Sequence, residues 1–358
     1  MRNSKRGAGL GKMHKPRLEV AKFPGCARCA VTTSWDDNDS GSMEIMKILD
    51  SMSLKGTFYV DVGNPQGTPQ WASDGLTDSD LRALAVQHEV ASHTWSHADL
   101  RRCDVRTLRE ELTRSKDYLE HTLGRPVFGF AYPYGAYTSV SQRMVKECGY
   151  LFARTTVQGN IEFPPPNPYL WGISVWALDI SPYFLKHLIS KETILSRAGR
   201  MYAKNLAWDW RRLTSKFFEK AQLANGVLHI WGHGVEVLKP RLNKQFVEVC
   251  RHLAFRKDVW YATNKMLFLN DLLRNNVRVS QNQESDTRSI FSVHAKRPPE
   301  ISSEEYPIPL RVSVPENWKS DFVVEVTTVS GEAKFGRFAG QAWIDIYGDE
   351  GKISVSRA

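Results

Sequence analysis

The chain lacks a run of about 18 apolar residues, so no membrane-spanning helix is expected. Residues Met1 to Val20 are basic and polar and lack the apolar stretch of a signal peptide, so no secretory signal is expected. Cysteine is scarce: five among 358 residues, an odd number that argues against a disulfide framework and for a reducing, cytoplasmic setting. No long repeat occurs, and Pro164-Pro165-Pro166 is the one low-complexity tract. Basic residues are in excess, with a net charge of +9 and a pI of 9.2, yet no nucleic-acid-binding motif accompanies them. What remains is 42% hydrophobic and 24% charged, an ordinary globular balance in a chain long enough for one large core and a smaller module.

Short apolar runs alternate with helical patterns from about Cys29 to Leu273. The runs fall at Cys29–Trp35, Gly56–Val62, Glu89–Ser92, Val127–Tyr132, Leu151–Thr155, Ile173–Leu178, Val227–Gly232 and Val259–Ala262. Between them, Leu81, Leu84 and Ala85 follow helical spacing, as do Leu108, Leu112, Ser115 and Leu119 behind Asp104 as N-cap. Val145 and Cys148 repeat it before Gly149. Strands separated by helices imply parallel pairing, in an α/β barrel or an open sheet. The pattern then changes: Ile308–Val314, Asp321–Val329, Gln341–Tyr347 and Lys352–Ser356 alternate with period two and are separated by turn sequences. The expected organisation is a basic arm over 1–25, a (β/α) unit over 26–278, a linker over 279–300 and a small antiparallel β module over 301–358.

The ends of the apolar runs carry the chemistry. In a barrel of alternating strands and helices, the C-terminal strand ends converge on one mouth. Asp36 and Asp37 end the first run, His93 and His97 the third, Tyr132-Pro133-Tyr134-Gly135 the fourth, Asp179 the sixth and His233 the seventh. One carboxylate and two imidazoles can hold a divalent ion, and the second carboxylate remains for proton transfer. That is the equipment of metal-assisted hydrolysis.

The order of these segments resembles the polysaccharide deacetylase family, the NodB-like domain of carbohydrate esterase family four. Thr33-Ser34-Trp35-Asp36-Asp37 is similar to its first motif and His93-Thr94-Trp95-Ser96-His97 to its second. Phe130-Ala131-Tyr132-Pro133-Tyr134-Gly135 is similar to its third, Trp176 with Asp179 to its fourth, and Ile230-Trp231-Gly232-His233 to its fifth. The resemblance covers about Ala30 to Leu273 and implies a distorted (β/α)7-8 barrel of the NodB-like type. It also implies hydrolytic removal of an N-acetyl group from an amino sugar. By the same resemblance, Asp37, His93 and His97 hold the metal and Asp36 is the base toward the attacking water. His233 is then the acid toward the leaving amine and the Tyr134 amide stabilises the oxyanion, while Asp179 reads either as the partner that orients His233 or as a cap. Pro133, Trp176, Ile230 and Trp231 are expected at the substrate. The ion is Zn²⁺ first, with Co²⁺, Ni²⁺, Mn²⁺ and Fe²⁺ as alternatives. Two departures stand out. Ala131 occupies the position where many family members carry an arginine that steadies the catalytic aspartate. Asn38 replaces the usual glycine after the aspartates and is expected to tolerate a left-handed turn.

Competing readings belong beside these. A lone Asp-Asp pair is usually a turn or cap, and two histidines at this spacing can be a structural pair. His229 reads as a buried barrel residue. Cys26 and Cys29 form a lone Cys-x-x-Cys with no second pair for zinc. Trp171, Trp176 and Trp231 suit either a sugar-stacking floor or core. Basic residues cluster in the arm (Arg2, Lys5, Arg6, Lys12, Lys15, Arg17) and around Lys186–Lys220, with Trp208, Trp210, Phe217 and Phe218. They read either as solvated faces or as contacts to an anionic membrane surface or a nucleotide- or lipid-linked sugar. Cytoplasmic placement with membrane association, an acetylated amino-sugar substrate and no nucleic-acid partner complete the expectations. The alternatives are a non-catalytic glycan- or lipid-binding barrel and a metal amidase acting on a non-sugar amide.

Overall fold

A computed structural model describes residues 15–39, 41–63, 75–177, 210–285, 287–315, 318, 322–328, 331–338 and 341–357. The expected Asp179, Trp208 and most of the basic segments lie outside these residues. The chain divides into two units, Arg28–Phe268 and Met1–Ala27 with Leu269–Ala358.

The first unit is a parallel sheet with helices between its strands. Its strands are β2 (Cys29–Asp36), β3 (Gly56–Val60), β4 (Glu89–Ser92), β5 (Gly129–Ala131), β6 (Phe152–Arg154), β7 (Val175–Trp176), β8 (Val227–His233) and β9 (Val259–Tyr261). They run β6-β5-β4-β3-β2-β8-β7, and β9 pairs with the first residues of β2. Trp171 bridges to Arg154 of β6, and a few residues on, Val175 pairs with Ile230 of β8, so this stretch closes the ring. The result is the distorted barrel. β2 is buried along its whole length, as a parallel strand covered on both faces must be.

The helices are α1 (Gly41–Asp50), α2 (Asp78–Gln87), α3 (Val105–Leu123), α4 (Ser139–Glu147), α5 (Trp210–Ala224), α6 (Gly234–Val237), α7 (Pro240–Leu253) and α8 (Asn264–Arg274). α3 starts where Asp104 accepts the Thr107 N–H at 2.7 Å and stops at Gly124, whose φ of 64° is the left-handed C-cap. Its Leu108, Leu112, Ser115 and Leu119 face the sheet. Along β2 and β8 the alternation of strand side chains separates two populations. Trp35 and Ile230 join the apolar layer beneath the helices, Trp35 edge-on to Phe246 at 5.1 Å. Ser34 and His229 meet in the interior at 2.8 Å, and Asp36 and His233 reach the mouth. His229 is thus the buried barrel residue expected.

In α5 the aromatic residues Trp210, Phe217 and Phe218 are buried, and Trp210 Nε1 donates to Gln245 at 2.7 Å. These aromatics therefore pack inward. No helix among the described residues is long and apolar enough to cross a membrane.

The second unit is all antiparallel. β1 (Arg17–Val20), β12 (Ile308–Ser313), β15 (Gln341–Tyr347) and β14 (Glu332–Phe338) form one sheet in the order β1-β12-β15-β14. β10 (Val277–Glu284), β11 (Arg288–Ala295), β16 (Glu350–Arg357) and β13 (Phe322–Thr328) form the other, in the order β10-β11-β16-β13. The small β module expected at the C-terminus is present and larger than the sequence pattern outlined. Two boundaries differ. The arm over 1–25 contributes β1, whose Leu18 is buried and pairs with Val312. The segment 279–300, read as linker because it is polar, carries most of a hairpin, β10–β11. β10 is almost wholly exposed, so its composition gave no apolar alternation, whereas β11 buries Ile290, Phe291 and Val293. A Cβ on Gly351 would lie 2.8 Å from Ile346 Cδ1, so the bare glycine leaves room for that side chain between the sheets. All five cysteines are free, so Cys26 and Cys29 form no disulfide.

Candidate active site

At the mouth of the barrel a cavity of about 560 Å³ is lined by Asp36, Asp37, His93, His97, Tyr134, Thr156, Gln158, Trp176, Trp231 and His233. Strand register brings the first of these together. Asp36 of β2 is the registered partner of His233 on β8 and of Tyr59 on β3. A tight contact helps: a Cβ on Gly41 would lie 2.6 Å from the backbone of Gly234, so the turn after Asp37 and the turn after His233 touch through two glycines.

Asp37, His93 and His97 offer donor atoms that all lie within 4.8 Å of one another. Asp37 Oδ1 is 3.6 Å from His93 Nε2 and 3.3 Å from His97 Nε2. It is buried and accepts no hydrogen bond among the described residues. His93 Nδ1 lies 2.8 Å from the Ala131 carbonyl, to which it donates, leaving the Nε2 lone pair aimed at Asp37. His97 Nδ1 lies 3.2 Å from the Tyr134 hydroxyl. A carboxylate oxygen and two imidazole nitrogens converging without bonding each other fit a divalent cation with open positions.

The backbone is strained at these places. Asp37, Thr94, His97 and Tyr134 have φ of 74°, 71°, 56° and 60°. Non-glycine residues held there are costly and cluster at functional sites. The left-handed residue after the first strand is Asp37, not Asn38 as expected. Asn38 is buried, and its side-chain oxygen accepts the Leu76 N–H at 2.6 Å.

Charge is distributed unequally. Burial favours the neutral form of Asp37, but the imidazoles of His97, His233 and His93 outweigh it and hold the carboxyl well below the usual carboxylate range. Burial pulls His93 down to about 4, which keeps it neutral, as a ligand must be. For His97, burial is outweighed by Asp37, and its pKa rises. His233 is likewise opposed by burial, yet its contact with Glu236 and the nearby Asp37 and Asp36 carry it up to about 9. Glu236 Oε2 lies 3.0 Å from His233 Nδ1 and also accepts Trp176 Nε1 at 3.3 Å.

The missing arginine has a counterpart. Arg154, at the end of β6, is fully buried and crosses the interior to place one guanidinium nitrogen on both oxygens of Asp36. It lies over the rings of Tyr59 and Trp231, 5.0 and 5.4 Å from their centroids. In β5–β6 pairing its registered partner is Ala131, the very position where the motif led one to expect the arginine.

Of the expected site residues, the cavity gathers Asp36, Asp37, His93, His97, Tyr134, Trp176, Trp231 and His233. Pro133 is buried in the 3-10 turn Pro133–Gly135, and Ile230 is wholly in the core; neither lines the cavity. For Ile230 the reason is strand alternation, which turns it away from the face that Trp231 presents. Trp171 is core, against His229 and Phe163. Arg154, Glu236, Thr156 and Gln158 were not anticipated. Arg154 had a visible signal, a charged residue inside an otherwise apolar run.

Comparison with known proteins agrees with the resemblance. The family model for polysaccharide deacetylases matches residues 27–153, which contain Asp36, Asp37, His93 and His97; Arg154 and His233 lie beyond it. A chitin deacetylase from Pestalotiopsis sp. is 29% identical over 108 residues, spanning 30% of this chain and 34% of that protein. Among solved structures, PuuE allantoinase has a TM-score of 0.51 at 14% identity, covering 70% of this chain and 92% of that one, a likeness of fold. A polysaccharide deacetylase from Bacillus cereus is 27% identical with a TM-score of 0.35, covering 39% of this chain and 45% of that one. Residues 27–153 are thus similar to polysaccharide deacetylases, and the chain spans about a third of the length of the curated relative it matches.

Proposed function

We propose that the protein is a metal-dependent hydrolase that removes an N-acetyl group from an amino sugar, in a glycan or a lipid- or nucleotide-linked sugar. The observation that carries this reading is the convergence of Asp37, His93 and His97 in one cavity with Asp36 and His233. A divalent ion held by Asp37, His93 and His97, with Zn²⁺ the first expectation, supplies Lewis acidity toward the amide carbonyl and the attacking water.

The remaining work falls to the chain. Asp36 takes the proton from the attacking water, and Arg154 fixes both of its oxygens so that the carboxylate does not swing toward the cation site. His233 is charged at neutral pH and gives its proton to the leaving amine nitrogen. Glu236 holds the opposite ring nitrogen, which sets tautomer and orientation; Asp179 is retained as a second partner on the strength of the motif. The Tyr134 amide, at the left-handed turn, is assigned to the oxyanion. Trp176 and Trp231, with ring centroids 4.9 Å apart, form an indole wall suited to a pyranose face.

The test is acetate release from acetylated chito-oligosaccharides and from nucleotide- and lipid-linked N-acetyl amino sugars. Activity is expected to be lost on chelation and restored by Zn²⁺. It should fall ~10²–10⁴-fold in Asp36→Ala and His233→Ala, and His97→Ala should release the metal. Full activity in Asp36→Ala would remove the base from the scheme. Glycan binding indifferent to chelator, without acetate release, would favour a binding protein.

A further inference from the structure

We propose that Glu111 is a positioning residue for the metal centre: from α3 it clamps the turn between His93 and His97 in the shape that aims both imidazoles at one point. This rests on the metal-centre reading above. The turn is not helical, and it places Thr94 at φ 71° and His97 at φ 56°. Left to itself such a backbone relaxes, and the spacing of the two nitrogens with it.

One set of restraints on it comes from one face of α3. Glu111 Oε2 accepts the N–H of Trp95 at 2.9 Å and of Ser96 at 2.8 Å, while Oε1 accepts the Ser96 hydroxyl at 2.7 Å. A carboxylate receiving two successive amides is a charge-assisted, directional hold on that turn. Three residues on, the Arg114 guanidinium lies 4.2 Å from the Trp95 ring centroid; four further, Tyr118 meets the same indole edge-on at 5.9 Å. Positions i, i+3 and i+7 share a helix face. The indole also rests on bare backbone, since a Cβ on Gly63 would lie 2.0 Å from it, and Gly63 N–H donates to the Trp95 carbonyl at 2.6 Å. Trp95 is thus held by both α3 and the Gly63 backbone, and Glu111 fixes the backbone beside it. Glu111 does not line the cavity, so it acts through the histidines.

Outer partners that orient ligands are worth about 10–100-fold in metal affinity. The experiment is Zn²⁺ affinity by competition with a chelating indicator, paired with amide hydrogen exchange of the metal-free protein. In Glu111→Ala, affinity should fall tenfold or more, and the Trp95 and Ser96 amides should exchange faster. Glu111→Gln, which keeps the shape and one acceptor oxygen but not the charge, should fall between. Glu110→Gln, an exposed neighbour paired with Arg106, should match wild type. If Glu111→Ala does not fold, Glu111→Gln decides on the same two readouts. Unchanged Zn²⁺ affinity, or unchanged exchange at Trp95 and Ser96, overturns the clamp. A wild type that binds Zn²⁺ but releases no acetate overturns the deacetylase and leaves the clamp standing; one that binds no Zn²⁺ overturns both.

Discussion

Moving the Asp36 partner between two strands tests how the barrel builds its base. Arg154→Met removes a guanidinium that is fully buried and leaves the Asp36 carboxylate buried behind it. Breaking a buried ion pair on one side costs about 3–5 kcal/mol. For a unit of this size, each kcal/mol corresponds to about 2–4 °C in Tm, so the expected fall is roughly 6–20 °C. Replacing both members, Asp36→Asn with Arg154→Met, should recover much of that loss, because no unpaired charge remains. Activity should behave differently. Arg154→Met should lose ~10²-fold or more in kcat through the displaced base, and the double variant should stay inactive. The decisive variant adds Ala131→Arg to Arg154→Ala. The two positions are registered partners on adjacent strands, about 4.8 Å apart, so a guanidinium returned from β5 should reach Asp36 and restore part of both Tm and kcat. The assays are thermal melting and acetate release at saturating Zn²⁺. Full kcat in Arg154→Met, or a relocated arginine that restores stability but no activity, would refute the view that the Arg154–Asp36 pair serves the base.

Two further predictions concern protons. His233 is raised to about 9, chiefly by Glu236 working against burial. The alkaline limb of kcat/KM should therefore lie near that pH, and Glu236→Gln should move it downward; a limb that does not move would separate Glu236 from the acid. In the β unit, burial pushes Asp345 up to about 7 although its carboxylate accepts the Gly25 N–H. Its folded pKa exceeds the ordinary 3.8, so between those values the folded state keeps a proton that the unfolded state has lost. Stability of this unit should thus fall as pH rises through that window and level off above it. Amides of β12 and β15 should show lower opening free energies at pH 8 than at pH 5 in wild type, and little difference in Asp345→Asn. A slope that persists in the variant would assign it to other groups.

The alternation of apolar runs with helical spacing was enough to locate the eight barrel strands among the described residues and several of the helices, because period and capping are local properties. It also marked the strand ends where Asp36, Asp37, His93, His97 and His233 lie, since a polar residue closing an apolar run has few other places to go. The edges of the β unit were harder. β10 buries almost nothing, so its pairing leaves no trace in composition, and β1 is joined to its partner across nearly the whole chain. Which side chains meet across the barrel depended on register and closure. Arg154 reaches Asp36 only because the ring closes and β6 faces β2 through its interior. Glu236, by contrast, meets His233 locally, three residues on, because α6 starts directly at the end of β8. Asp37, rather than Asn38, takes the left-handed turn, while the Asn38 side chain is tied to the Leu76 amide. The sequence by itself determined the strands and the chemical groups at their ends. The tertiary structure decided the partners of those groups, because opposite charges separated by more than a hundred residues become neighbours only after the strands between them are in register.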